Sequence, residues 1–286
     1  MNSLTVISPA KLNLYLEVLG KRRDGYHELQ TLFHRISLQD QIILKKINQP
    51  EFRLITHHSK LKQTHKNIIF RAFKELQRMA HWKGGVEVKL RKNIPVAAGL
   101  GGGSSNAAHF LLGMNRLFNL GLPLKTLVRL GAQLGSDVPF FLCKINQAIG
   151  KGRGEKIKRF PSKKKFWFVL VISPFGIPTP LVYKRLKARP LTRISRDATI
   201  TSAFLSHNRD GFPLLWNDLF QASCRIRPEL KRIDALFDQL GVARRLMSGS
   251  GPTMFSIHKS KREAKCVAQA FRRRKPNVKV LICHTY

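Results

Sequence analysis

The sequence predicts an α+β fold on three observations. Apolar residues alternate with period two in some stretches, recur at helical spacing in others, and a cluster of glycines stands between a strand and a helix. Leu12, Leu14, Leu16 and Val18 mark an early strand; Val86, Val88 and Leu90 mark another just ahead of the glycines. Between them Ile69, Ala72, Phe73, Leu76 and Met79 recur at helical spacing, with Asn67 placed to cap the start. After the glycines, the span from Ser104 to Leu120 has no proline and carries Leu111, Leu112, Leu117 and Phe118, so it is expected to be helical. A second helix is expected from Pro123 to Leu134.

Gly150, Gly152 and Gly154 in "IGKGRGEKI" read as a turn joining two strands, and "KKFWFVLVIS" supplies a long buried strand. A domain change is placed there, giving residues 1–160 and 161–286 as two domains. Thr179 before Pro180 starts a helix, and Asn217 to Leu240 is expected to be helical with an interruption at Pro228 and a stop at Gly241. Strands in "RRLMSG" and "TMFSIH" flank a small-residue turn, Ser248 to Pro252. A helix from Ser260, with Glu263 completing a capping box, leads to a last strand in "VKVLICH".

Composition narrows the class. The longest apolar run, "FWFVLVIS", is too short to span a bilayer, and the start lacks a basic, apolar leader, so a cytoplasmic protein with no membrane partner is expected. Cys143, Cys224, Cys266 and Cys283 lie far apart without a C-x-x-C pair, which fits reduced thiols and not a zinc site. The 52 Lys and Arg against 16 Asp and Glu leave +36, more than an anionic small-molecule substrate requires. Basic runs such as "KRR" at 21–23, "SKKK" at 162–165 and "FRRRK" at 271–275 are spread along the chain. They suggest a basic surface, either attracting polyanions such as nucleic acid or simply solvated; aromatic residues do not interleave with them as stacking platforms would.

The stretch "PVAAGLGGGSSNA" carries the first chemical signal. It lacks the lysine of a Walker A loop and the third glycine and distant acid of a dinucleotide fingerprint. What it retains is the underlying physics. A loop free of side chains presents backbone N–H groups, and the helix behind it adds a positive dipole end, together an anion site. Ser104 and Ser105 add hydroxyls for phosphate oxygen or Mg²⁺. The alternative is a tight turn with a capping serine, for which one or two glycines suffice.

Between Glu87 and Glu155 the only carboxylate is Asp137, in "LGSDVPFF". Amid so many cations it is expected to carry its charge and could take a proton from a hydroxyl; equally, it could cap a turn through its side chain. Lys11 and Asn13, at alternate positions of the first strand, point the same way. Tyr26 and His27 follow a turn at Asp24-Gly25, and an isolated His of this kind is more often structural than functional.

The motifs "SPAKLNLYL", "DGYHELQTLF", "PVAAGLGGGSSNAA", "LGSDVPFF" and "SGSGPTMF" occur in the order and spacing of the small-molecule kinase superfamily of galactokinase, homoserine kinase and mevalonate kinase, which the whole chain resembles. The "DGYHEL" element narrows the resemblance to the branch acting on a cytidylylated methylerythritol in the non-mevalonate isoprenoid pathway. The resemblance implies two domains with the active site in the cleft between them, the amino-terminal half looking like the second domain of ribosomal protein S5. It implies ATP and Mg²⁺ as cofactors and phosphorylation of the acceptor's 2-hydroxyl. Asp137 would be the base and Lys11 its partner. Pro95, Val96, Ala97, Ala98, Gly99, Leu100, Gly101, Gly102, Gly103, Ser104 and Ser105 would wrap the ATP phosphates, with Asn67 and Lys92 helping to hold the nucleotide and Ser104 or Ser105 assisting the metal. Asn13, Tyr26 and His27 would line the cytidine diphosphate pocket, Thr179 and Tyr183 would close over it, and Gly249, Ser250 and Gly251 would form a facing turn. The alternatives are another kinase of the superfamily, or an RNA-binding protein with an S5-like half.

Overall fold

A computed structural model describes residues 1–61, 67–160, 164–186, 212–275 and 277–286. Residues 162 and 163 of the "SKKK" run lie outside them.

The chain opens with two long antiparallel strands, β1 (Ser3–Lys21) and β2 (His27–Ile47), which form the spine of the first sheet. β3 (Phe52–Thr56), β4 (Gly85–Arg91), β5 (Gln147–Gly152), β6 (Lys156–Arg159) and the two-residue β8 (Trp216–Asn217) complete it. β2 is long enough to serve two neighbours: its first half pairs with β5 and its second half with β4. The second sheet runs β11 (Lys279–His284), β7 (Trp167–Ile172), β10 (Met254–His258), β9 (Arg245–Met247), antiparallel throughout.

Four helices pack with the first sheet: α1 (Ile68–Ala80), α2 (Gly102–Leu117), α3 (Leu124–Leu134) and the short α4 (Val138–Leu142). Leu76, Phe110, Leu111, Leu130 and Phe140 meet Leu44, Val86 and Val88 there, all fully buried. Burial of such side chains, worth roughly 1.5–3 kcal/mol each, holds this layer together. α5 (Thr179–Arg185), α6 (Phe220–Ile226), α7 (Glu229–Gln239) and α8 (Lys261–Arg274) belong to the second half. Phe237 and Phe271 from α7 and α8 pack beneath the second sheet. A third cluster lies between the sheets, where Ala10, Leu12 and Leu14 of β1 meet Phe168, Leu170 and Phe255.

The capping signals operate as physical chemistry requires. Asn67 Oδ1 accepts from the Ile69 N–H at 2.9 Å, and Ser260 Oγ accepts from the Glu263 N–H at 3.2 Å. One expected helix differs. The segment from Asn217 begins as a strand beside β1 and becomes helical only at Phe220, because the Asn217 amide is committed elsewhere, donating to Met247 O and Gly249 O at 2.7 and 2.8 Å. Among the described residues no helix is long and apolar enough to cross a membrane.

Candidate active site

On β1 the residues flanking Lys11 and Asn13 are turned into the inter-sheet core, which sends these two polar side chains the other way. Lys11 is only 3% exposed. Its Nζ donates to Asn13 Oδ1 at 2.5 Å and lies 3.4 Å from Asp137 Oδ2. The Asn13 amide is held in register for this, since Nδ2 donates to Thr31 Oγ1 at 2.7 Å and that hydroxyl donates to Tyr15 O at 2.6 Å.

Asp137 immediately precedes α4, yet its side chain caps nothing. The carboxylate is free to face the cleft, where it is 29% exposed. Sequence reasoning did not find α4, whose five residues are too few for a periodic signal. Nor did it find Arg35, buried behind α4, which donates to Phe140 O and Phe141 O at 3.2 and 2.7 Å and lies over both rings. Burial lowers its guanidinium to about 10. Arg35 thus fixes the end of the helix opposite Asp137.

The glycine loop is wedged between two walls. Gly99 takes φ +75°, and a Cβ there would stand 2.3 Å from Ser248 O; Gly101 takes φ +66°, and a Cβ there would stand 2.9 Å from Lys11 Cγ. Only glycine fits both positions. Ser248 Oγ donates to Gly99 O at 3.0 Å, and Lys11 N donates to Leu100 O at 3.0 Å. Gly101 is the cap residue of α2 and brings no side chain to the helix N–H groups, which have no acidic neighbour in the first turn. A sixteen-residue helix with a bare N-terminus attracts anions.

Asn67 and Lys92 line the same cleft as the loop, and Ser104 does too. Ser105 does not. It is fully buried, with its hydroxyl accepting from Ser8 Oγ at 2.8 Å, so of the two serines expected at a metal only Ser104 faces the opening. Asp40, absent from the sequence reading, pairs with Lys92.

Across the cleft His27 stacks on Tyr183, ring centroids 5.0 Å apart at 28°. Burial, with the nearby charge of Lys21, lowers the His27 imidazole, so it is neutral near pH 7. Burial raises the Tyr183 phenol, helped by the charge of Asp137. Tyr26 is 54% exposed, with the Arg153 guanidinium 4.7 Å above its ring. Thr179 Oγ1 is 2.8 Å from Ser250 Oγ, tying α5 to the turn of Gly249, Ser250 and Gly251. Gly249, at φ +58°, directs its missing Cβ toward Asn13 Oδ1 at 3.3 Å and Lys11 Nζ at 3.6 Å.

The cleft lined by Lys11, Asn13, Asp137, the glycine loop, His27 and Tyr183 holds about 1640 Å³. A pocket for one small ligand is typically about 300–1,000 Å³, so there is room here for two nucleotide-sized molecules. Its chemistry is a phosphate-type cradle and an aromatic pocket, with an ammonium–carboxylate pair between them. No cluster of three His, Cys, Asp or Glu that could hold a metal occurs among the described residues.

Residues 67–144 match the family model "GHMP kinases N terminal domain". The chain is 42% identical over 262 residues to a 4-diphosphocytidyl-2-C-methyl-D-erythritol kinase of Syntrophus aciditrophicus, covering 92% of each protein. It is 37% identical over 254 residues to the protein of that name from Bacillus cereus, covering 89% of this chain and 88% of the other. Its fold superposes on a crystal structure of 4-(cytidine 5'-diphospho)-2C-methyl-D-erythritol kinase with a TM-score of 0.81, at 32% identity and 98% coverage of both chains. A homoserine kinase from Cytophaga hutchinsonii shares the fold, with a TM-score of 0.71 at 15% identity, over 100% of this chain and 95% of that one.

Proposed function

The chain belongs to the 4-diphosphocytidyl-2-C-methyl-D-erythritol kinases within the GHMP kinase superfamily, and we propose that its cleft transfers the γ-phosphoryl group of ATP to the 2-hydroxyl of that cytidylylated alcohol. It is an ATP-dependent phosphotransferase of non-mevalonate isoprenoid biosynthesis, with the two-domain α+β fold of the superfamily. The observation that carries the mechanism is the position of Lys11, its ammonium 3.4 Å from Asp137 and its carbon stem packed against the loop at Gly101.

Phosphoryl transfer has a loose transition state, so the protein mostly positions groups and balances charge. The acceptor 2-hydroxyl oxygen forms its bond to the γ-phosphorus as the bond to ADP breaks, and Asp137 takes the hydroxyl proton. Lys11 orients that hydroxyl and, with the first N–H groups of α2, balances the negative charge on the transferred group. Asn13, fixed through Thr31, sets the height of the ammonium. Asn67 and Lys92 hold the nucleotide; Tyr26, His27, Thr179 and Tyr183 hold the cytidine diphosphate end.

GHMP kinases use ATP with Mg²⁺. Mg²⁺ usually takes one or two carboxylates together with substrate phosphates and water. The donors here fit that habit: Asp137 supplies a carboxylate, and the hydroxyl of Ser104 lies 3.7 Å from the Cβ position of Gly135, two residues before it. The ion would neutralise phosphate charge.

Asp137→Asn tests the reading. Turnover, followed as ADP formed, is expected to fall at least about a hundredfold while calorimetric binding of ATP persists. Full turnover in a folded variant would remove Asp137 from catalysis. A panel of acceptors including homoserine and mevalonate is expected to leave the cytidylylated alcohol as the preferred one.

A further inference from the structure

Asp40 lies on β2, 52 residues in sequence from the Lys92 it pairs with, and is fully buried. Four donors converge on its carboxylate. Oδ2 accepts from the Lys92 ammonium and from Asn106 Nδ2 at 2.9 Å; Oδ1 accepts from the backbone N–H groups of Asn93 and Ile94 at 2.8 and 2.9 Å. Asn106, on the second turn of α2, also accepts from Lys92 Nζ at 3.1 Å and donates to Ser8 Oγ at 2.9 Å. One carboxylate therefore joins β2, the residues that lead into the glycine loop, and α2, with β1 attached through Ser8.

Stability alone is a poor reason for such a pair, because a buried ion pair often contributes less than apolar residues of the same volume. Its location is more informative. Lys92 and Asn106 line the cleft, and a Cβ on Gly102 would come within 3.2 Å of Lys92 Nζ, so the ammonium stands at the head of α2. Burial drives that ammonium toward its neutral form, and the charge of Asp40 opposes the drift. Asn93 and Ile94, tied to the same carboxylate, set where Pro95 begins the loop.

We propose that Asp40 is a positioning residue for the nucleotide, aiming the Lys92 ammonium at the head of α2 and fixing the entry of the phosphate loop through Asn93 and Ile94. This rests on the reading of loop and helix as the ATP site. The class of ligand served is a nucleoside triphosphate.

The test is a calorimetric cycle with a non-hydrolysable Mg·ATP analogue on the wild-type chain, Lys92→Met, Asp40→Asn and the double variant, with cytidine diphosphate titrated in parallel. Lys92→Met is expected to weaken analogue binding about tenfold or more, as loss of a charge-assisted contact does. Asp40→Asn is expected to weaken it to a similar degree. Asp40→Asn keeps an oxygen for the Asn93 and Ile94 N–H groups and removes only the charge that aims Lys92, so the double variant should be no weaker than Lys92→Met; cytidine diphosphate should bind all four alike, which a general loss of structure would not produce. Additive losses, or equal weakening toward cytidine diphosphate, would overturn the proposal. So would an Asp40→Asn variant with full analogue affinity beside a weakened Lys92→Met, and that result would leave the ATP site itself intact. If all four proteins bound the analogue equally, the assignment of Lys92 to the nucleotide would fall, and the role of Asp40 with it. Should Asp40→Asn not fold, Lys92→Met and the double variant decide, because the double variant leaves no buried ion unpaired. Equal affinities support the proposal, and a further loss in the double variant overturns it.

Discussion

Adding one methyl group at Gly101 puts the contact between the loop and the Lys11 stem under direct load. Gly101→Ala keeps the chain length and charge, but its Cβ would lie 2.9 Å from Lys11 Cγ, 3.0 Å from Lys11 Cε and 3.2 Å from Phe141 Cε2. Ordinary contact is 3.4–4 Å, so the lysine stem must retreat by about 0.5–1 Å. Lys11 is buried and its head is fixed by Asn13 and Asp137, which leaves the ammonium little freedom to stay where it was. A misplacement of about 1 Å at a reacting centre costs up to roughly a hundredfold in rate. The expected result is a fall in kcat of about ten- to a hundredfold, with a smaller change in the KM for ATP. Stability also suffers: about 1–2 kcal/mol for a side chain in the left-handed region and about 1–3 kcal/mol for overpacking, a drop in Tm of roughly 5–15 °C. The control is Gly121→Ala. Gly121 has nearly the same backbone angle, φ +64°, and nothing within 4 Å of its Cβ position, so it carries the backbone strain alone. Steady-state ADP formation and thermal melts on both variants separate the terms. If Gly101→Ala turned over as fast as Gly121→Ala, the packing of Lys11 on the loop would not be what holds the ammonium in place.

The double variant Tyr26→Ala, His27→Ala is expected to raise the KM for the cytidylylated substrate at least about tenfold and leave ATP affinity unchanged; the reverse pattern in the two titrations would mean the two halves of the cleft have been interchanged. Acid sensitivity is expected from His34 and His109, which burial holds at about 3 and about 4. Both are neutral when folded, so their contribution is complete above the unfolded value of about 6.5 and is lost progressively as pH falls toward 4 and then 3. By pH ~5 the loss is about 2 kcal/mol per residue. Urea midpoints at pH ~7 and ~5 should differ less in His109→Asn than in the wild type, and an identical difference would count against the burial argument.

Parts of this candidate site were legible in the chain where local rules mark them. The two-residue spacing of Lys11 and Asn13 places them on one face of an apolar strand, their roles being implied by the resemblance alone, while the loop is marked by its glycines. Asn67 is visible as a cap and Pro228 as a break between helices. β2 was not legible, and the reason is burial on both faces: Leu29 through Ile36 are all buried, Gln30, Thr31, His34 and Arg35 among them, so no alternation of apolar and polar residues survives. Asp40 and Arg35 were hidden in the same strand, their partners 52 and 105 residues away in the chain. The glycine stretch suggested two serines at the metal, but helical geometry turns neighbouring residues about 100° apart, which sends Ser105 inward to Ser8 while Ser104 stays at the opening.

The clasp between Ser248 and Gly99, with Gly249 set against Asn13 and Lys11, means that segments 235 residues apart in the chain share one wall. A chain emerging from the ribosome would carry Lys11, the loop and Asp137 long before their backing arrives. The cleft would close late in synthesis, once the stretch around residue 250 is free to dock, and premature termination upstream of it would leave the inner face of β1, at Ala10, Leu12 and Leu14, without its partner Phe255 and the cleft open.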